Sequence, residues 1–479
     1  MSIDAPTFNH EDFISDRSKG RKVSYFWENV PHVENPHPAL IQLVGGLPNH
    51  GFFPVESASV ELRDKPFSEN PATTFEIEVD PSDPTKIGIR DAFQYNDDEG
   101  LGPLREQIRD IVKRVVKPIS SDWDVLCTHG GLDGIMKVFD VIINPGDVVL
   151  FEEFTFTPVL SFLEEKGGVA IPIKLEKCFS STPGLDYADE LTNLLENWST
   201  IHPDLPKPKL LYTIPNGHNP LGLAQSLETK KRIYDLATKY NFMILEDEPY
   251  AYLNFTKYDE EPNFNLSNDE FLSTIVPSYL TLDKVGRVIR TETFSKVYSP
   301  GLRLGFNVIN KAFFKNFIIS SQVSSRAPSG YSQIFVNNTI NQLGGVEGWI
   351  HWITQVRNEY LKRKNAFVNT LKKSKAHEKG YLTVIDPDCG MFVSVIINVQ
   401  NHKLFTGDNF DEIMDLFYIS AVQSGFLAVL GRNMSVDKEF SKERSNFIRC
   451  AISYASSPDV LVEAAERLST SLLKLFDQA

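Results

Sequence analysis

Cysteine is scarce in this chain. Cys127, Cys178, Cys389 and Cys450 are the only four in 479 residues, and none forms a CxxC pair. Three stand in apolar, strand-like stretches, so buried, inert thiols are expected. Long apolar runs are missing too. Stretches such as 151–156 and 242–245 fall far below the roughly 20 residues that a membrane helix needs. Positive charge is in deficit, with 48 Lys and Arg against 63 Asp and Glu and a net charge of −15, which argues against a nucleic-acid partner. Residues 1–22 lack the apolar core of a secretory signal and the Arg-rich, acid-poor character of a transit peptide. The expectation is a cytoplasmic protein without a membrane anchor. Repeats, low-complexity tracts and metal-ligand clusters are lacking, and the ten histidines are scattered.

What remains is an ordinary globular composition, 42% hydrophobic and 23% charged, on a chain too long for one simple core. Short apolar runs alternate with helical patterns through its middle. Strands are expected at 124–127, 148–151, 170–173, 209–214, 242–245, 288–293 and 305–309. Helices are expected at 132–143, 157–166 and 226–240. This alternation predicts an α/β unit with a mostly parallel sheet. Past Gly344 the pattern changes to a long amphipathic helix at 347–374, a strand pair within 381–399, a helix at 410–424, a strand at 447–453 and a closing helix at 458–476. The expected division is an irregular, proline-rich arm over residues 1–85, a large α/β domain over 86–345 and a smaller α+β domain over 346–479.

Ligands of open α/β sheets sit beyond the carboxyl ends of the strands, so the residues just past each apolar run matter most. After 288–293 stand Thr293, Ser295 and Lys296, then Pro300, Gly301, Leu302, Arg303, Leu304 and Gly305. Alone, Lys296 reads as a solvated surface lysine. Its company differs: two hydroxyl residues precede it with strand alternation and an arginine follows on a Pro–Gly turn. A reactive lysine needs a partly desolvated, electropositive setting. A neighbouring phosphate needs hydroxyls and a planar guanidinium. This segment can supply all of these.

Other strand ends carry further candidates. Glu246, Asp247, Glu248, Pro249 and Tyr250 make an acidic loop. Pro215, Asn216, Gly217, His218, Asn219, Pro220, Leu221 and Gly222 make a turn. Gly130, Gly131 and Leu132 open a helix whose free amides form an anion site. Phe156 is either a ligand-stacking ring or a core aromatic. Arg449 stands inside an apolar strand without an acidic neighbour and needs a partner.

Together these segments resemble the fold-type I pyridoxal-phosphate aminotransferases, whose signature S/T-x-S-K-x-x-x-P-G-x-R-x-G is matched from Thr293 to Gly305. The resemblance implies a seven-stranded, mostly parallel sheet in the large domain, and pyridoxal 5′-phosphate as cofactor with Lys296 as the lysine that holds it. It implies Asp247 at the ring nitrogen, Tyr250 and Asn219 at the ring oxygen, and Phe156 stacked on the ring. Gly130, Gly131, Leu132, Thr293, Ser295 and Arg303 would take the phosphate, through backbone amides where Gly131 and Leu132 replace hydroxyl or amide side chains. Lys296, Asp247 and Tyr250 would carry the catalysis, with no metal. Arg449 would bind the substrate carboxylate, near Asn219 and the backbone of Gly46 and Leu47. Tyr95 would reach the neighbouring subunit's phosphate site in a homodimer.

The resemblance is most detailed with the fungal aromatic aminotransferases of the aromatic, 2-aminoadipate and kynurenine branch, in particular the catabolic isozymes of yeasts. It implies transfer of the amino group of Phe, Tyr or Trp to a 2-oxo acid such as 2-oxoglutarate or phenylpyruvate. Tyr25, Phe26, Leu47, Phe52 and Phe156 offer an apolar wall for an aromatic side chain. Alternatives are a 2-aminoadipate or kynurenine preference, a lyase or decarboxylase on the same scaffold, an inactive homologue, and a DNA-binding regulator. The last conflicts with the acidic charge.

Overall fold

The prolines of the first 85 residues conceal a strand pair. In the computed structural model, which describes residues 7–22, 30–41, 43, 45–69, 73–255 and 261–477, β1 (Ala58–Leu62) and β2 (Thr73–Ile77) run antiparallel, Val60 opposite Phe75. The arm is therefore not wholly irregular. The two strands alternate inward and outward side chains, a pattern that the charged connection masks in the sequence.

The next seven strands are β3 (Trp123–Thr128), β4 (Val148–Glu152), β5 (Val169–Ile173), β6 (Leu210–Thr213), β7 (Met243–Asp247), β8 (Val288–Thr293) and β9 (Gly305–Asn310). They form one sheet in the order β3-β9-β8-β7-β6-β4-β5, in which β9 alone is antiparallel to its neighbours. This is the expected α/β architecture. β4, β6, β7 and β9 are buried along their whole length, which is why they read as near-continuous apolar runs. The chain adds β5 on one side of β4 and then returns to place β6 on the other. The crevice at that reversal, outside the carboxyl ends, is the general ligand position in such sheets.

A smaller antiparallel sheet follows, with β10 (Leu382–Ile385), β11 (Phe392–Ile397), β12 (Val429–Leu430) and β13 (Phe447–Ala451) in the order β10-β11-β13-β12. Its apolar side, with the helices Phe410–Gln423 and Pro458–Asp477, forms a second core. The helix Gly345–Lys372 belongs to both cores. Trp349, Ile350 and Ile353 lie in the first, and Phe367, Val368 and Leu371 in the second. Its 28 residues span about 42 Å. Three helices that periodicity did not single out, Gly102–Ile111, Lys311–Gln322 and Gly330–Leu343, pack on the large core. All four cysteines are buried and free, and burial pushes the Cys127 and Cys450 thiols up to about 12. No helix among the described residues is long and apolar enough to cross a membrane.

Asp140 anchors the start of the chain. It takes Arg17 and Arg21 as ion-pair partners and accepts from Ser320 Oγ at 2.7 Å. Burial alone would raise its pKa, but Arg21, Ser320 and Arg17 hold it down at about 2. Asp140→Ala is expected to destabilise the protein by about 3 kcal/mol, measured by denaturant unfolding, because it strands two arginines. The folded carboxyl titrates below its unfolded value of about 4. Its contribution is therefore complete above that pH and lost as pH falls towards about 2.

Candidate active site

A cleft of about 220 Å³ opens at the carboxyl ends of the parallel strands. Gly131, Leu132, Phe156, Asn219, Asp247, Tyr250, Thr293, Ser295, Lys296 and Arg303 all line it. Residues up to 172 positions apart in the chain, Gly131 to Arg303, meet there because each stands at or just past a strand end.

The helix Gly131–Ile142 points its N-terminus at this cleft, and no side chain caps it. Its N-cap, Gly130, has φ +86, and a Cβ there would lie 2.7 Å from Arg303 Nη2. Arg303 itself has φ +48 and donates to the Pro300 and His129 carbonyls at 3.2 and 3.4 Å. Thr293 Oγ1 lies 2.8 Å from Ser295 Oγ. Uncapped amides, two hydroxyls and a guanidinium thus converge on one corner, a donor set suited to a phosphate. The helix sits close to the sheet because Gly134 leaves room for Asn307, whose Nδ2 donates to the Gly134 carbonyl at 3.0 Å.

The floor is electrostatically unusual. Burial raises Asp247 to about 7, with Glu152 adding to the rise, while Tyr212 and Lys296 oppose it. Tyr212 Oη donates to Asp247 Oδ2 at 2.6 Å. Lys296 is half-buried, and its pKa falls below the ordinary lysine value through burial and the nearby Arg303 and Arg449. Burial pushes the Tyr250 phenol up. A carboxylate, an amine with a weakened hold on its proton and a phosphate corner can together grip a flat anionic cofactor and move a proton beside it.

Arg449 lies on β13 beside the cleft. Its Nη1 donates to Asn219 Oδ1 at 2.9 Å, its guanidinium stands 4.3 Å from the centre of the Phe392 ring, and its buried Nε has no hydrogen-bond partner. A half-satisfied arginine on an apolar shelf suits an incoming carboxylate.

Other candidates lie apart. Tyr95 is 76% exposed, Leu47 60% and Phe52 79%, and Gly46 is exposed as well. None of them lines the cleft. The two early segments touch each other, with Gln94 Nε2 donating to the Pro48 carbonyl at 2.8 Å. Tyr25 and Phe26 lie outside the described residues. The expected apolar wall is therefore not assembled within the described part of one chain. Of its members only Phe156 reaches the cleft, joined by Leu132, Ile135 and Ile214. The others described belong to an arm segment that folds against no core.

Sequence reasoning missed the support of Asp247. Tyr212 is fully buried on β6, and a polar handle inside a buried strand always needs a partner; that was the available signal. It also missed Glu152, which accepts from Thr213 Oγ1 at 2.6 Å and the Ile214 amide at 3.1 Å. His218 Nε2 approaches Glu152 Oε2 to 3.2 Å, at an angle that makes no hydrogen bond.

Fold and cleft together define a fold-type I transferase, and the family model for class I and II aminotransferases matches residues 86–464. The chain belongs to that family. Among its relatives, aromatic amino acid aminotransferase 2 of Saccharomyces cerevisiae is 37% identical over 98% of this chain and 96% of its own length. The crystal structure of the aromatic aminotransferase Aro9 from C. albicans superposes with a TM-score of 0.92, at 42% identity over 98% of each chain. The mitochondrial kynurenine/alpha-aminoadipate aminotransferase of Bos taurus is 30% identical over 81% of this chain and 84% of its own.

Gly130→Ala tests the phosphate corner. The new methyl group collides with Arg303 on a backbone that disfavours it. Affinity for inorganic phosphate, measured by calorimetry, is expected to fall about tenfold, or about 1.4 kcal/mol.

Proposed function

We propose that the protein is a pyridoxal-phosphate-dependent aromatic amino-acid aminotransferase. The observation that carries this reading is the meeting of Lys296, Asp247 and Arg303 in one cleft. The names of the relatives at 37% and 42% identity support the aromatic preference. The apolar Leu132, Ile135, Phe156 and Ile214 of the cleft support it chemically.

The residues fit the cofactor. Gly130, Gly131, Leu132, Thr293, Ser295 and Arg303 would hold the phosphate, Asn219 and Tyr250 the ring oxygen, Phe156 one ring face, and Asp247 the ring nitrogen. When bound, the cofactor supplies an electron sink for the electrons released at the substrate's α-carbon. Asp247, ionised, keeps a positive charge favourable at the ring nitrogen. Arg449 takes the substrate α-carboxylate and so orients the α-hydrogen. The Lys296 amine, its pKa lowered, would accept that proton and hold it beside the substrate's α-carbon. A 2-oxo acid such as 2-oxoglutarate or phenylpyruvate then takes up the amino group in the reverse sense, giving ping-pong kinetics. Residues 86–345 form the cofactor-binding domain in this reading, 346–479 the small domain that brings Arg449, and 1–85 the arm.

The same reading makes the enzyme a homodimer. Arg303 is exposed in the single chain, and so are Tyr95, Leu47 and Phe52. A second copy would cover them and deliver its Tyr95 to the phosphate corner. A second substrate reading, 2-aminoadipate or kynurenine, draws on the relative at 30% identity.

Three measurements test these points. Lys296→Ala is expected to abolish both the visible absorbance of the cofactor-loaded protein and its turnover; retention of either overturns the role. A donor-by-acceptor panel on the purified enzyme is expected to rank Phe, Tyr and Trp above 2-aminoadipate and kynurenine. Mixing Lys296→Ala with Tyr95→Ala subunits is expected to restore activity absent from each alone, since one site of the mixed dimer carries neither lesion. Failure of that rescue rules out Tyr95 acting across the interface.

A further inference from the structure

Asp247 stands at the end of β7 with one side-chain oxygen bonded and the other not. Tyr212 Oη donates to Oδ2 at 2.6 Å, and Oδ1 has no hydrogen-bond partner among the described residues. The approach follows from strand register. Tyr212 pairs with Leu245, two residues short of Asp247 on the same face of the sheet. Two residues of strand span about 6.6 Å, roughly the reach of a tyrosine leaning along the strand, and too far for serine or threonine. The ring is locked by burial and by Phe151, whose ring centre lies 5.3 Å away. Burial raises the Tyr212 phenol well above its ordinary range, so it remains a donor at every working pH.

We propose that Tyr212 is the positioning residue of this site: its hydroxyl fixes the Asp247 carboxylate by one oxygen, favours its ionised form and leaves the other oxygen to the ring nitrogen. The last clause rests on the cofactor reading above; the rest does not. The groups acting on Asp247 are Tyr212 from β6, Lys296 beyond β8 and Tyr250 on its own loop, together with the charge of Glu152 on β4, which points to the opposite face of the sheet. Burial and Glu152 favour the neutral acid, while Lys296 and Tyr212 favour the carboxylate. Of the latter two, only Tyr212 donates a hydrogen bond to Asp247. It is the one fixed dipole holding the charged form in place. Without its proton the acid would stay neutral over more of the physiological range, and a neutral acid cannot hold a positive charge opposite it.

The test uses the cofactor-free, full-length protein with carbon-13-labelled aspartate side chains. The Asp247 signal is assigned by its loss in Asp247→Asn and titrated against pH. The wild-type midpoint is expected near about 7. Tyr212→Phe, which removes one oxygen and leaves the ring, is expected to raise the midpoint by about one unit, tenfold in proton affinity. Tyr187→Phe is the control: that buried hydroxyl serves Thr213 and Gln225, not Asp247, and the midpoint should stay in place. Glu152→Gln should move it the other way. In the loaded enzyme, Tyr212→Phe should lower kcat and shift the acid limb of its pH profile upward, with KM for the amino acid changed less than kcat. An unmoved midpoint in Tyr212→Phe, or an equal rise in Tyr187→Phe, overturns the proposal. Neither outcome depends on the cofactor, so failure of the wild-type protein to bind pyridoxal phosphate would be a separate result.

Discussion

The site depends on how well one nearly buried carboxylate at the floor of the cleft can hold its charge. Asp247 is 6% exposed at the carboxyl end of a strand that begins with three apolar residues and carries a second buried acid, Glu246, on its opposite face. Placing an acid there without support would neutralise it. The surroundings oppose this from two places: a phenol on β6, and the amine of Lys296 beyond β8. The interaction also runs the other way. Asp247 raises the proton affinity of Lys296, against burial and the two arginines that lower it. The acid and the base of the cleft are thus tuned by each other, and neither can be replaced without changing its neighbour.

Strand alternation separates the working face of the sheet from its supporting face. Register places Phe151, Tyr212, Leu245, Asp247, Thr291 and Thr293 on one side, under the helix that begins at Gly131. The intervening residues, Glu152, Thr213, Glu246, Arg290 and Glu292, point to the other. There Arg290 pairs with Glu292 at 2.6 Å, with Glu246 at 3.3 Å and with Glu248 at 3.5 Å, and Lys230 lies 3.8 Å from Glu246. Two cations thus face three carboxylates. Burial raises the Glu248 carboxyl well above the usual carboxylate range, which eases the excess of negative charge in the cluster. Glu248 in turn accepts from Asn216 Nδ2 at 2.5 Å, tying the loop that carries Asn219 to the loop that carries Tyr250. Such buried pairs add little net stability, but losing one member is expensive. They fix the position of two loops more than they strengthen the fold.

The alternation of strand and helix from residue 123 onward was legible because parallel strands covered on both faces read as plain apolar runs, and the expected edges lie within a few residues of the observed ones. Most of the candidate site residues were legible for a related reason, since they stand on the loops that follow such runs, whereas Arg449 stood out as a charge inside one. What stayed hidden depended on neighbours distant in sequence. Tyr212 looks like one more strand aromatic until Asp247, 35 positions later, is placed beside it. Glu152 and Arg290 look like interruptions of strands, although both are fully enclosed. β1 and β2 escaped because their signal is a weak alternation flanked by prolines and charges, and because they pair only with each other.

The arm reveals its role by what it fails to bury. Ile41, Leu43, Leu47 and Phe52 are between 60% and 90% exposed, and Tyr95 and Tyr331 lie open as well. Single exposed apolar residues are ordinary, but a run of them on one segment suits the interface of the proposed homodimer. The segment is held to Gln94 through the Pro48 carbonyl and, through Phe53, to the Phe93 ring at 6.5 Å, so it is attached next to Tyr95. An apolar strip and a tyrosine fixed to one another, outside a cleft that lacks most of an aromatic wall, are complementary deficits. Leu47 and Phe52 stand where their own cleft does not use them. In the proposed homodimer, exchange between two copies would satisfy both and would cover the corner where Arg303 stands open to solvent.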